Sequence, residues 1–80
     1  MAMEPDWEDL ERRLTALPVR KLRQLGRTWF NGALGGASTK RDMAHAMASQ
    51  AEHWWKRCAD LGGRKRVRNV MLALEQLEEG

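Results

Sequence analysis

The sequence predicts an all-α fold: a compact domain of three to four helices, with a long third helix and a C-terminal fourth. Three observations lead there. Apolar residues recur at spacings of three and four along four stretches, which is the period of one helix face. The stretches are punctuated by Pro18, Asn31-Gly32, Gly35-Gly36 and Gly62-Gly63, residue types that start or stop helices. The composition, 42% hydrophobic and 31% charged, is that of a folded globule rather than a disordered chain. At 80 residues the chain makes one domain, spanning 1–80 with residues 1–5 expected to be disordered, near the size at which a single apolar core only just suffices.

The first helix starts at Pro5-Asp6-Trp7-Glu8-Asp9. Asp6 is the N-cap, and the acids of the first turn suit the positive end of the helix dipole. Trp7, Leu10, Leu14 and Leu17 form its inner face, and Pro18 forces a break near Thr15 to Leu17. The second helix runs from about Pro18 to Phe30, turning Val19, Leu22, Leu25 and either Trp29 or Phe30 inward. Asn31-Gly32 stops it, and a loop to Ser38 follows with Leu34 as an anchor. Thr39 caps the third helix, with Asp42 three residues on in a threonine-plus-acid capping box. Its inner stripe is Met43, Met47, Gln50 or Ala51, Trp54, Cys58 and Leu61, with Trp55 placed to one side and alanines that allow a close neighbour. After Gly62-Gly63 the fourth helix, Arg64 to Glu79, buries Val67, Val70, Met71, Leu74 and Leu77.

Charge is arranged less evenly than the net value of +3 suggests. Residues 1–11 hold five acids and no base, 12–41 hold eight bases and no acid, and 64–68 hold four more bases. Segregation of this kind points to a polyanion-facing side. Three groups stand at or near helix starts: Arg20, Lys21, Arg23 and Arg27; Lys40 and Arg41; and Arg64, Lys65, Arg66 and Arg68. The dipole disfavours cations in a first turn, so a partner is the natural reason to keep them there. The fourth helix shows this most clearly, with bases at its start and Glu75, Glu78 and Glu79 at its end.

Other chemistries find no pattern. His45 and His53 are eight residues apart and His53 and Cys58 five, so neither pair makes a helical metal site or a nucleophile pair, and no metal or cofactor is expected. GALGG lacks the lysine and hydroxyl of a nucleotide loop. No catalytic residue is identified, and an enzyme is not expected. A lone cysteine excludes an internal disulfide and suits a reducing cytoplasm. There is no signal-peptide pattern, and no apolar run reaches the roughly 18 residues needed to span a membrane. The tryptophans and the methionines at helical spacing are expected mainly in the core.

The segment Leu14 to Met47, LTALPVRKLRQLGRTWFNGALGGASTKRDMAHAM, resembles the SAP motif and its relatives, which include the N-terminal subdomain of transcription terminator Rho and the LEM group. Leu17, Val19, Leu22 and Leu25 match its first helix, and Ser38-Thr39-Lys40-Arg41-Asp42-Met43 match the start of its second. The loop carries an additional NGALGG stretch, and the second helix continues into Trp54, Trp55 and Cys58. The resemblance implies a helix-extended loop-helix centre that contacts the duplex backbone through Arg20, Arg23, Lys40 and Arg41.

Two functions are therefore expected to compete. In the first, a nucleic-acid-binding module holds duplex DNA by phosphate contacts at the three basic helix starts, with little sequence reading; about five contacts would give a log K against log salt slope near −4 to −5. In the second, a protein-interaction module or inhibitor, as in a small phage or mobile-element protein, docks on an acidic partner through Trp55, Trp29 and the arginines.

Overall fold

Asp6 starts the first helix, α1 (Trp7–Ala16): its carboxylate accepts the backbone N–H of Glu8 and of Asp9, each at 3.1 Å. The helix stops at Leu17, whose backbone is extended as the residue before a proline requires. The computed structural model describes residues 4–30 and 39–79, and every regular element among them is helical. Directly after Pro18 comes α2 (Val19–Leu25), which widens into a π-helical turn over Gly26–Phe30. Thr39 Oγ1 accepts the N–H of Asp42 at 3.1 Å and opens α3 (Lys40–Arg57). A short 3₁₀ turn, Ala59–Leu61, leads through Gly62 into α4 (Gly63–Glu79).

The long α3 is the centre of the packing, contacting α1, α2 and α4. It runs antiparallel to α1: Trp7 meets Trp55 edge-on at 6.3 Å and Glu4 lies 3.8 Å from Lys56, while Thr15 and Ala16 share a groove with Arg41. Small Ala44, Ala48 and Ala51 on α3 are all buried, which lets helices approach closely. Leu10, Leu14, Leu17, Leu22, Leu25, Phe30, Met43, Met47, Trp55, Val67, Val70 and Leu74 are buried with them.

Several sequence expectations change at the helix ends. Val19 was expected inside but is 40% exposed, on the open groove that Arg20 and Arg23 also line. The third helix was expected to reach Leu61; it ends at Arg57, so the stripe loses its phase, Cys58 is only half-buried and Leu61 is 86% exposed. Trp55 rather than Trp54 is the buried one of the pair, at 5%. The wide π turn settles the alternative between Trp29 and Phe30: its extra residue per turn rotates Phe30 into the core and leaves Trp29 half-buried. Met71 and Leu77 are partly rather than fully buried. Glu4, placed in the expected disordered tail, stands beside Lys56. The Asn31-Gly32 stop, the Leu34 anchor and the Gly35-Gly36 loop lie outside the described residues.

Side chains tie the far ends together. Arg13 on α1 makes a bidentate contact with Glu78 on α4, Nε donating to Oε2 at 3.0 Å and Nη2 to Oε1 at 2.6 Å. This hydrogen bonding, aided by the charge of Arg13, holds the Glu78 carboxyl below its ordinary pKa. A carboxyl lowered in the folded state contributes stability above its unfolded pKa and loses it as pH falls through the folded one. Glu78→Gln is therefore expected to remove a small contribution, under about 1 kcal/mol for so exposed a pair, and to flatten the acid limb of stability against pH. Urea unfolding from pH 6 down to pH 3 measures it.

Candidate nucleic-acid interface

The four helices define two ends of the molecule. The end of α1, and with it the start of α2, lies beside the start of α3, because Thr15 and Ala16 line one groove with Arg41. The end of α4 is there too, since Lys21 Nζ donates to the Leu77 carbonyl at 2.9 Å. The start of α4 is at the opposite end, joined to the end of α3 by the 3₁₀ turn. A helix of this length separates the two by about 27 Å. The three basic helix starts thus do not converge: two share one end and the third sits at the other.

Some of the cations have work inside the fold. α2 with its π turn runs antiparallel to α4, and each helix of this pair sends a cation to the carbonyl end of the other. Lys21, near the start of α2, reaches Leu77 in the last turn of α4; Arg66, near the start of α4, donates from Nη2 to the Trp29 carbonyl at 3.0 Å. Carbonyls in a last turn lack intrahelical donors and carry the negative end of the dipole, so a neighbour's ammonium or guanidinium satisfies both. Arg66 also lies over the ring of Trp54 at 4.4 Å, and Trp54 stacks on Phe30 at 5.0 Å, giving a three-layer pile of arginine, indole and phenyl. Arg64 covers Trp55 at 5.1 Å. Part of the charge order that opposes the dipole in α4 is explained by these contacts.

The remaining candidates fall in three places. Lys40 and Arg41 open α3, and Arg41 shares its shallow groove with Glu8, Glu11 and Arg12 of α1. Lys65 and Arg68 stand on the outer face of α4. Arg20, Arg23 and Arg27 form a row, spaced by three and four along α2 and the π turn, all exposed and lining one open groove with Val19, Gln24 and Thr28. Charge compensation separates this row from the α1–α3 side. There Arg12 pairs with Asp9 at 3.8 Å and Lys56 with Glu52 at 2.7 Å. Among the described residues no acid lies within ion-pair distance of Arg20, Arg23 or Arg27.

The aromatic patch of the competing reading is not a surface. Trp55 is in the core and Trp29 is half-buried. Among the described residues no group of three His, Cys, Asp or Glu side chains is placed to hold a metal ion, and no helix is long and apolar enough to cross a membrane. Sequence reasoning missed Leu72, an apolar side chain 57% exposed in the middle of α4. Its position between the basic and acidic halves of the helix was the available signal. No protein-family model, no curated protein and no solved structure matches the chain.

Proposed function

We propose that the domain is a small nucleic-acid-binding module that holds the phosphate backbone of duplex DNA, with little reading of sequence, in the cytoplasm. The row of Arg20, Arg23 and Arg27 carries this reading: three exposed guanidinium groups on one helical face with no acid beside them among the described residues. From the first to the last is seven residues, about 10 Å of helix, or roughly three steps of 3.4 Å along a nucleic-acid strand. Guanidinium groups suit phosphate oxygens, and Gln24 and Thr28 in the same groove add neutral polar groups of the kind that bond phosphate and sugar. The resemblance of Leu14 to Met47 to the SAP motif supports the same face, since two of its four implied contacts, Arg20 and Arg23, are in the row. The other two, Lys40 and Arg41, stand at the same end of the molecule as Arg20 and contribute less, because Arg41 has Glu8 and Glu11 around its groove.

An acidic protein partner would also be attracted to the row. Trp55, the anchor of that reading, is buried, and an arginine row without a central aromatic favours a polyanion of regular charge spacing.

Fluorescence anisotropy on a labelled duplex tests the proposal. The wild-type chain is expected to bind at low salt with a log K against log salt slope of about −3. Arg20→Gln/Arg23→Gln/Arg27→Gln brings the slope close to zero and lowers affinity by at least about 30-fold, whereas Lys40→Ala/Arg41→Ala changes the slope by less than about one. Absence of binding at low salt, or a triple variant with the wild-type slope, overturns it.

A further inference from the structure

We propose that the outer face of α4 is a self-association surface, on which two copies of the chain pair through antiparallel α4 helices about a twofold axis at Leu72. Lys65, Arg68, Leu72, Glu75 and Glu79 follow the spacing 3, 4, 3, 4, so they lie in one stripe, opposite the buried Val67, Val70 and Leu74. All five are exposed, and Leu72 is the one large apolar side chain in the stripe.

The stripe is complementary to itself. Lys65 and Glu79 each stand seven residues from Leu72, about 10 Å along the helix in opposite directions. An antiparallel copy therefore sets Lys65 against Glu79 of the second copy, Arg68 against its Glu75, and Leu72 against its Leu72. A twofold axis repeats each pair, which gives the isologous contact typical of homodimers. Parallel pairing would oppose like charges, and an unrelated acidic or basic helix would match only half of the stripe. Nothing inside the helix competes: with all bases in its first half and all acids in its last, α4 contains no acid three or four residues after a base. None of Lys65, Arg68, Glu75 or Glu79 has an ion-pair partner among the described residues. The charge order that opposes the dipole of α4 thus has a second account beyond the carbonyl contact of Arg66. The inference does not rest on nucleic-acid binding, because the arginine row is on α2 and the π turn.

One stripe from each copy is a small interface, so dissociation constants of order 100 μM are expected. Sedimentation equilibrium on the 80-residue chain, from about 10 μM to about 1 mM at low salt, is expected to show monomer and dimer, with the dimer weakened by added salt. Lys65→Glu/Arg68→Glu and Glu75→Lys/Glu79→Lys each raise the dissociation constant at least about tenfold, and an equimolar mixture of the two restores association as a mixed dimer. Leu72→Ser, at an exposed position that leaves the core intact, weakens association independently of charge. Circular dichroism verifies that each variant is folded. A wild type that stays monomeric throughout the range overturns the proposal, as do charge-reversed chains that associate as tightly as wild type and a mixture that fails to restore association.

Discussion

Gly63→Ala is expected to unfold much of the population, while Gly62→Ala one residue earlier is tolerated. A Cβ on Gly63 would lie 2.1 Å from the Trp54 carbonyl oxygen and 2.8 Å from that of Cys58, both backbone atoms. Neither can give way cheaply. Trp54 O accepts from Cys58 N at 3.1 Å, and Cys58 O accepts from Leu61 N at 3.0 Å and from Gly63 N at 2.9 Å, so relief of the clash breaks the turn that joins α3 to α4. The same displacement disturbs the Phe30, Trp54 and Arg66 stack beside it. A cost of about 3 kcal/mol or more follows, a large part of the roughly 4–12 kcal/mol available to a domain of this size. At Gly62 the backbone is left-handed, φ +81°, but a Cβ meets nothing within 4 Å. Its substitution by Ala costs about 1–2 kcal/mol, and Asn, which tolerates that conformation, recovers part of it. Thermal unfolding separates the two, with melting temperatures lower by about 15 °C or more for Gly63→Ala and by about 5–10 °C for Gly62→Ala. Equal losses at the two positions would refute the close helix approach at Gly63.

Helix identity was legible in the sequence because it depends on local features. The caps at Asp6 and Thr39 and the break at Pro18 each act within one or two turns, and each is where the residues place it. Register past an irregular turn was not legible. The phase of Leu61 depends on α3 ending at Arg57, and the choice of Phe30 over Trp29 depends on a π turn with no signature in its composition. Cation roles were the least legible. That Lys21 and Arg66 satisfy carbonyls of a neighbouring helix is a consequence of the antiparallel placement of α2 and α4, set by tertiary packing. By contrast, the row of Arg20, Arg23 and Arg27 was readable, since residues three and four apart share a face whatever the helix packs against.

Trp55→Ala is expected to cost about 3–5 kcal/mol and lower the melting temperature by about 15–30 °C, because the residue holds α1 against the end of α3. Its indole is buried, meets Trp7 edge-on at 6.3 Å and carries the Arg64 guanidinium on its face at 5.1 Å. The neighbouring Trp54→Ala exposes less new apolar surface and loses mainly the stack on Phe30 and the Arg66 contact, a cost of about 2 kcal/mol. Urea unfolding of both variants ranks them, and the ranking decides between two roles for Trp55. A core residue lowers the unfolding midpoint and leaves the proposed duplex binding by the remaining folded chain close to wild type, since the arginine row lies on α2 and the π turn. An interface residue of the kind that docks on an acidic protein would instead leave the midpoint unchanged. Adjacent residues on one helix would then have exchanged the roles that their burial assigns them.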